Sequence, residues 1–243
     1  MSWNTALYEY KNTRFDEKTD KDGLDIYESI KELVMKHLEK ENAIAVLQEM
    51  PYKSNVDWKL HPIFLKFKKD IEKYACIYNV SNKGQIMMTV VVAHKDIIQK
   101  NKKGINSNRY VSFLVNNTDL SIMGVHARSA AELGSDLKKN CSTYYPNVLM
   151  GDFNSGNYRK RVGDNAIANN RKDYLAATEG YIDACQGMRT TRYNTYIDHI
   201  LLEYSYEFLS KHKYFDSYVD ESIKLSDHFP LYCTIRGDNA KTN

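Results

Sequence analysis

The sequence has few residues of the kinds that cross-link, break or interrupt a chain. Its 243 residues include only four cysteines, four prolines and eleven glycines. No two of the cysteines stand in C-x-x-C spacing, which argues against a zinc site of the usual kind. No linker rich in proline or glycine and no internal repeat is visible, so we predict one domain over residues 1–243.

Long hydrophobic runs are absent as well. No stretch reaches the roughly 18 apolar residues that a membrane-spanning helix requires. The first residues, MSWNTALYEYKN, lack the apolar run of a signal peptide. We therefore expect a cytoplasmic protein with free thiols and no stable membrane association. The net charge of only +3 permits nucleic acid as a partner but does not argue for it.

Two segments have the pattern of amphipathic helices. DGLDIYESIKELVMKHLEKEN has Asp22 as its expected N-cap and four apolar residues on one helical face. The residues of that face are Tyr27, Ile30, Val34 and Leu38. The segment SAAELGSDLKKN begins with a capping-box pattern and predicts a second helix.

Short apolar strands make up most of the remaining pattern. The strand candidates include AIAVLQE, QIMMTVVVAH, RYVSFLV, DLSIMGVHA, NVLMGD, TYIDHILL and FPLYCTIR. A hairpin is predicted in YACIYNVSNKGQIMMTVVV, with its turn at residues 81–84. Because many of the apolar runs are continuous, we expect strands covered on both faces, in two packed sheets with helices outside.

Many of these strands have a side chain at one end that can bind a cation or move a proton. The set consists of Asn4, Glu49, His126, Asp152, Asn154, Asp198, Asp227 and His228. Each of them alone has a simpler explanation as a turn residue, a helix cap or a solvated strand end. Because strand ends of parallel or mixed sheets meet in one layer, the whole set predicts a single pocket.

Such a pocket suits metal-assisted attack of water on a phosphodiester. Glu49 and Asp227, with Asn4, offer the hard oxygen ligands that Mg²⁺, Mn²⁺ or Ca²⁺ prefer. The two histidines of the set can act as acid, base or phosphate donor near neutral pH. Asp198 can hold an imidazole in one tautomer, and Asn154 can donate to a phosphate oxygen.

The stretch NVLMGDFNSG places a carboxylate and an amide two residues apart. Residues two apart on a strand share a face, so we expect Asp152 and Asn154 to point the same way. One of them would then handle the proton or the metal, and the other would bind the phosphate.

The motifs LQE, GDFN, IDHIL and SDHFPL, in this order and spacing, resemble the endonuclease/exonuclease/phosphatase superfamily. The resemblance implies a four-layer α/β sandwich, in which helices flank two central mixed β-sheets. GVHARSAAELGSDLKK followed by NVLMGDFNSG is most similar to the deoxyribonuclease I-like branch. That branch has a second catalytic histidine, which His126 matches, and Arg109 resembles an arginine of the branch near the substrate phosphate.

The resemblance also implies a role for the residues of the pocket. Glu49 would be the principal ligand of Mg²⁺, or of Mn²⁺ or Ca²⁺ in its place. Asn4 and Asp227 would complete the environment of the metal. His228 would be the general base, oriented by Asp198.

On the other side of the pocket, His126 would be the opposing acid or phosphate-stabilising group, with Asp152 and Asn154 at the scissile phosphate. In deoxyribonuclease I a glutamate partners the second histidine, from the strand after the hairpin. Here that strand begins with Gly84, Gln85 and Ile86, so the acid is missing. A glutamine accepts a hydrogen bond but does not favour a charged imidazole as a carboxylate does.

The fold is used on several classes of phosphate ester, so the surface has to indicate the substrate. Basic residues interleaved with tyrosine follow GDFNSG and suit a nucleic-acid backbone. We predict nucleic acid, DNA in particular, as the partner, in contact with Arg109, Arg128, Tyr158, Arg159 and Arg161. Further cations are expected on loops beside the pocket at Arg171, Lys172, Arg189 and Arg192.

Two alternatives stay open on the sequence. The first is a sphingomyelinase or inositol-phosphate phosphatase of the same fold. A sphingomyelinase would need an apolar loop for membrane docking, and the spacings of Trp58, Phe64 and Phe67 also fit a buried helix face. The second is a catalytically inactive phosphate-binding module, although such a module usually lacks a core residue of the site and this chain has the full set.

Overall fold

A computed structural model describes most of the chain. The described residues are 1–8, 17–54, 57–80, 85–127, 137, 140, 143–154 and 174–237, with the side chains of 17–22 and 215 excepted. The predicted turn at residues 81–84 and most of the predicted helix SAAELGSDLKKN lie outside these ranges.

Strands and helices follow one another along the described chain with these bounds. The strands are β1 (Ser2–Asn4), β2 (Ile44–Pro51), β3 (Ala75–Tyr78), β4 (Met87–Ala93), β5 (Ile98–Lys100), β6 (Tyr110–Val115), β7 (Ser121–His126), β8 (Val148–Asp152), β9 (Tyr181–Asp183), β10 (Asp198–Glu203), β11 (His212–Val219) and β12 (Leu231–Gly237). The helices are α1 (Glu17–Leu38), α2 (Pro62–Asp70) and α3 (Tyr206–Lys211).

The described strands form two six-stranded sheets with mixed pairing. The first sheet has the order β11–β12–β1–β2–β4–β3, and the second has the order β5–β6–β7–β8–β10–β9. In the first sheet β1 runs parallel to β2, and in the second β7 runs parallel to β8. The register of the second sheet sets His126 opposite Asp152, and Asp152 opposite Asp198. Three of the predicted site residues therefore stand in one row.

The sheets pack face to face through aliphatic side chains. Val46 of β2 lies in one buried cluster with Val111 and Val148 of the second sheet. Gly124 of β7 allows this close approach, because a Cβ there would lie 2.7 Å from a methyl carbon of Val46. Branched side chains on facing strands give the tight packing that interior sheets require.

Helices cover the outer face of the first sheet, and described residues with helical backbone lie on the outer face of the second. The apolar face predicted for α1 is confirmed, since its four residues are buried against β2 and β4. Leu137, which has helical backbone, packs with Leu149 and Leu201 on the outer side of the second sheet. Within the described residues the predicted fold class, an α/β sandwich with two central mixed sheets between helices, is confirmed.

Some local predictions need correction, and others stay predictions. The first helix begins at Glu17 rather than after Asp22. Its first turn has no apolar residues at helical spacing, so the hydrophobic pattern of the sequence did not indicate it. β3 and β4 pair antiparallel, as the predicted hairpin requires. No described helix is long and apolar enough to cross a membrane. One domain over residues 1–243 and a cytoplasmic location stay predictions.

Gly151, in the motif GDFN, occupies a position where the neighbouring strand leaves no room for a side chain. Its φ is 150°, and a Cβ at this position would lie 1.8 Å from the carbonyl oxygen of Val125 on the parallel neighbour β7. We expect Gly151→Ala to lower the free energy of unfolding by roughly 3 kcal/mol or more, because β8 would have to separate from β7. Urea unfolding followed by circular dichroism measures this change.

Gly180→Ala is the matched control for that substitution. Gly180 also has a positive φ, 84°, but no other heavy atom lies within 4 Å of its built Cβ. Its replacement should cost about 1 kcal/mol, from the backbone conformation alone. Equal losses for the two variants would show that the contact between β7 and β8 is not what requires Gly151.

Candidate functional site

Polar side chains from both sheets converge where β1, β7 and β8 end. Asn4 Nδ2 donates hydrogen bonds to Glu49 Oε1 at 3.0 Å and to Asp152 Oδ2 at 2.9 Å. His126 Nε2 lies 3.1 Å from Glu49 Oε1 and 4.0 Å from Asp152 Oδ2. Asn4, His126 and Asp152 are buried, so these contacts are largely shielded from water. Side chains that the sequence analysis places together therefore do meet in the fold.

His228 and Asp198 form the second half of this cluster. His228 Nδ1 lies 2.9 Å from both carboxylate oxygens of Asp198, and His228 Nε2 lies 4.0 Å from Asp152 Oδ2. Because Nδ1 faces a carboxylate, it carries a proton, and Nε2 is the nitrogen directed towards the rest of the cluster. The backbone of His228 is held in place as well, since Trp3 Nε1 donates to the carbonyl oxygen of His228 at 3.1 Å.

An irregularity in β2 directs Glu49 into the cluster. Leu47 pairs with Val90 and Met50 pairs with Met88, so Gln48 and Glu49 together oppose a single residue of β4. Glu49 has a φ of 56°, a left-handed conformation that is unfavourable for a residue with a Cβ. The sequence analysis ended this strand at Glu49, and that prediction is wrong. β2 continues to Pro51, and the bulge turns the carboxylate out of the regular pleat.

Asn154 meets Asp152 for a different reason from the one predicted. β8 ends at Asp152, and Asn154 has a φ of 46°, so the two residues do not share a strand face. The chain instead folds back, and the backbone N–H of Asn154 donates to Asp152 Oδ1 at 2.7 Å. Asn154 Nδ2 donates to the carbonyl oxygen of Ala127 at 2.7 Å and to Asp152 Oδ2 at 3.2 Å. Asn154 therefore holds the carboxylate of Asp152 in place.

The buried acids and imidazoles perturb one another. Burial and the neighbouring carboxylate of Asp198 raise the pKa of Asp152 to about 6. Burial lowers the pKa of His228, but the carboxylates of Asp198 and Asp152 outweigh it, and its pKa is raised to about 10. Burial also acts to raise the pKa of Glu49, but the contacts with His126 and Asn4 bring it below its usual value. The cluster therefore favours bound positive charge.

This electrostatic arrangement predicts how stability depends on pH without metal. The pKa of His228 is near 10 in the folded protein and about 6.5 in the unfolded chain. Its stabilising effect is complete below about pH 6.5 and is lost as the pH rises towards 10, by at most about 1.4 kcal/mol per pH unit. We expect the free energy of unfolding in EDTA to fall between about pH 7 and about pH 9.5.

The variant His228→Gln isolates this contribution from other groups that titrate in the same range. Urea unfolding of both proteins at the two pH values gives the comparison. The loss of stability should be smaller in the variant, because its side chain does not titrate. An identical loss in the two proteins would contradict the raised pKa of His228.

The geometry fits a small divalent cation. In the described chain two sets of ligand atoms lie within 4.8 Å of one another, Glu49–His126–Asp152 and Asp152–Asp198–His228. Carboxylate oxygens dominate these sets, which suits Mg²⁺, Mn²⁺ or Ca²⁺ better than a thiophilic metal. Asp227, which the sequence predicts as a ligand, belongs to neither set and accepts a hydrogen bond from Ser226 at 3.4 Å.

Arg109, which the resemblance implies near the substrate phosphate, lies beside His126. Its Nη1 lies 3.3 Å from Nδ1 of His126 and donates to the carbonyl oxygen of the same residue at 3.4 Å. The carboxylate next to His126 is Glu49, whereas Gln85 donates to the carbonyl oxygen of Asn79 at 3.3 Å. The other predicted substrate contacts, Arg128, Tyr158, Arg159 and Arg161, together with Arg171 and Lys172, lie outside the described residues.

Two buried threonines that the sequence analysis did not select support the His228–Asp198 pair. Thr190 Oγ1 accepts hydrogen bonds from the backbone N–H groups of Ile197 and Asp198, at 3.1 and 3.2 Å. Thr191 forms an isolated antiparallel bridge with His228. The signal that could have found them is the stretch TTRYNT just before YIDHIL, since threonine hydroxyls often bind nearby backbone groups.

Comparison with known proteins gives similarity in structure alone. No protein-family model matches the sequence, and no curated protein matches it. An AP endonuclease from Archaeoglobus fulgidus is similar, with a TM-score of 0.60 and 16% identity over 86% of this chain and 94% of the other. D. rerio TDP2 complexed with single-strand DNA product has a TM-score of 0.57 and 16% identity, over 97% of both chains.

A third similar structure is an endonuclease/exonuclease/phosphatase family protein from Bacteroides thetaiotaomicron. Its TM-score is 0.55 at 16% identity, over 96% of this chain and 95% of the other. Identities this low establish a shared fold and nothing finer. The protein therefore has the fold of the endonuclease/exonuclease/phosphatase proteins, and the resemblance drawn from its motifs is confirmed at the level of structure.

Proposed function

We propose that this protein is a divalent-metal-dependent phosphodiesterase and that its substrate is nucleic acid, DNA in particular. The observation that carries the proposal is the convergence of Glu49, His126, Asp152, Asp198 and His228 within one buried cluster. The similar fold of the AP endonuclease and of TDP2 with its DNA product supports the substrate class.

The metal would be held on the Glu49 side of the cluster. Glu49 and Asp152 supply carboxylate oxygens there, and Asn4 Nδ2 fixes the orientation of both. Asp227 stays a predicted contributor from the adjoining loop. When bound, the divalent cation stabilises the charge of the phosphate and offsets the carboxylates that otherwise keep His228 protonated.

His228 is proposed to accept a proton from the attacking water at Nε2. Asp198 bonds Nδ1 at 2.9 Å, which fixes the tautomer and stabilises the imidazolium that forms. Asp152 lies 4.0 Å from the same Nε2 and accepts hydrogen bonds from Asn4 and Asn154, so its own position is fixed. A fixed base beside the reacting phosphate contributes to the rate because little reorganisation is needed.

On the opposite side, His126 and Arg109 are proposed to contact the phosphate. Both side chains can donate hydrogen bonds to a non-bridging or leaving oxygen. The contact of Arg109 Nη1 with the carbonyl oxygen of His126 links the two residues and limits their motion. The role of His126 as the proton donor to the leaving group, and that of Asn154 at the phosphate, stay predictions.

The lipid alternative has weaker support. Phe64 and Phe67, which the sequence analysis considered for a membrane-docking loop, are only 2% and 3% exposed and pack against the first sheet. Trp58 is 51% exposed, so one aromatic side chain of the three is available at the surface. The inactive alternative has weaker support as well, because the acids and histidines expected of an active site are present and contact one another.

A panel of substrates tests the proposal. Hydrolysis is followed with Mg²⁺ and with Mn²⁺ on plasmid DNA, single-stranded DNA, RNA, sphingomyelin and an inositol phosphate, each with and without EDTA. Nicking or cleavage of DNA that EDTA stops is the expected result. Intact nucleic acids with hydrolysed lipid or inositol phosphate would favour the alternative enzyme. No turnover of any ester with either metal would leave only the binding module.

A further inference from the structure

The loop of residues 190–195, TTRYNT, is built onto the proposed catalytic pair. Thr190 bonds the backbone of Asp198 through its hydroxyl, and its carbonyl oxygen accepts from the N–H of Phe229 at 2.8 Å. Thr191 pairs with His228. The loop is therefore attached to both residues of the pair.

Internal hydrogen bonds fix the shape of this loop. The N–H of Thr190 donates to the carbonyl oxygen of Thr195 at 2.9 Å, and the hydroxyls of Thr191 and Thr195 lie 2.6 Å apart. Tyr193 donates its N–H to the Thr191 hydroxyl at 3.2 Å, and Asn194 completes the turn with a φ of 60°. A loop ordered in advance loses little conformational entropy when a ligand binds to it.

The tip of the loop exposes an aromatic ring and a cation. Tyr193 is 74% exposed. Arg192 is exposed too, and its backbone N–H donates to the carbonyl oxygen of Asp227 at 2.8 Å. Arg189, by contrast, contacts the Glu221 carboxylate and lies over the ring of Phe229. Tyr193 is two residues beyond Thr191, the residue that pairs with His228. The Cα atoms of Tyr193 and Thr191 are therefore at most about 7 Å apart.

We propose that Tyr193 stacks on an unpaired base beside the scissile phosphate, and that Arg192 contacts the neighbouring backbone phosphate. A rigid, exposed ring beside a cation is the arrangement that binds single-stranded nucleic acid without reading its sequence. Bases inside a duplex have both faces covered by their neighbours and cannot stack on the ring without unpairing. The protein then prefers single strands or unpaired ends to intact duplex. This inference rests on the proposed nuclease function.

Binding of a strand of about 12 nucleotides, with phosphorothioate linkages that resist cleavage, tests the stacking. Fluorescence anisotropy gives Kd for the wild type, Tyr193→Ala and Tyr193→Phe in Mg²⁺. We expect Kd to rise about tenfold for Tyr193→Ala and to stay within about twofold for Tyr193→Phe, which keeps the ring. The effect of Tyr193→Ala on binding to duplex of the same sequence should be below about twofold, because its bases are covered.

Tyr206→Ala is the matched control for a surface tyrosine. Tyr206 is 91% exposed and lies at the start of α3. α3 follows the Glu203 end of β10, and Asp198 lies at the opposite end of that strand. Its replacement should leave Kd for the single strand unchanged. A rise equal to that of Tyr193→Ala would overturn the proposal, because it would indicate a general effect of surface tyrosines.

An abasic nucleotide moved along the strand locates the stacked base. At one position, removal of the base should cancel the difference in Kd between wild type and Tyr193→Ala, as a double-mutant cycle requires for a direct contact. A difference that persists at every position, or that is equal on duplex, would overturn the proposal. So would a wild type that binds no strand. Binding without hydrolysis by any metal would instead count against the proposed function alone.

Discussion

The substitution His228→Asn is expected to lower kcat for metal-dependent DNA cleavage by a factor of about 10² to 10⁴, the usual contribution of a general base. Asparagine keeps a donor for the carboxylate of Asp198, so the buried acid is not left without a partner. What is lost is Nε2, the nitrogen that lies 4.0 Å from Asp152 and is proposed to accept the proton of the attacking water. Single-turnover rates at saturating DNA measure the change in the chemical step.

The chain contains a close control for this substitution. His199 is also buried, and its Nδ1 lies 2.7 Å from an Asp183 oxygen. It follows Asp198 on β10, so its side chain points to the opposite face of the sheet, away from the cluster. We expect His199→Asn to lower stability but to leave kcat within a few-fold of wild type. Equal losses of kcat in the two variants would show that His228 acts through folding alone.

The second large effect is expected for Glu49→Gln. The amide keeps an oxygen that can accept from Asn4, but it removes the charge that the proposed cation binds. We expect the Mg²⁺ concentration that gives half-maximal cleavage to rise by at least about 100-fold. Removal of a residue that only supports a metal ligand typically lowers metal affinity about 10- to 100-fold, and removal of a direct ligand should lower it more. Initial rates over a Mg²⁺ titration measure this midpoint.

Glu203→Gln is the control for Glu49→Gln. Glu203 lies at the far end of β10, where it accepts hydrogen bonds from Asn147 at 2.8 Å and from Ser205 at 2.7 Å. It is partly buried and hydrogen-bonded, as Glu49 is, but it is remote from the cluster. Its replacement should leave the Mg²⁺ midpoint unchanged. An unchanged midpoint for Glu49→Gln would remove Glu49 from the proposed metal site.

The sequence predicts the parts of the fold that local patterns encode. Apolar runs identified most of the strands, and the 3.6-residue spacing of Tyr27, Ile30, Val34 and Leu38 identified the buried face of α1. The ordered motifs also identified the residues that meet in the cluster. They could do so because strand ends in a packed pair of sheets share a layer, which is a property of the fold class rather than of any one contact.

The contacts that give the site its geometry were not readable from the sequence. The bulge at Glu49 depends on the pairing of β2 with β4, and pairing joins residues that are distant along the chain. Asn154 was assigned to a strand face, but its left-handed backbone allows it to bind Asp152. Thr190 and Thr191 matter because of where Asp198 and His228 lie in space. Each of these features is set by tertiary context.

Two residues of the cluster have a strained backbone, a conformation that other described residues such as Ala6 and Trp58 share. Glu49 and Asn154 both have left-handed backbone, which costs roughly 1 kcal/mol or more for each residue. Both residues are bonded to other members of the cluster, so the surrounding contacts maintain the strained conformations. Such strain is common where function rather than stability determines the local structure.

The measurement that tests the account most directly is the initial rate of DNA cleavage by the wild type as free Mg²⁺ is raised from zero in an EDTA-buffered series. The account predicts no cleavage without the metal, a saturable rise as it binds, and loss of the rise in His228→Asn. Cleavage that is independent of the divalent ion, or that survives unchanged in His228→Asn, would contradict the central claim that this cluster hydrolyses phosphodiesters with a bound metal.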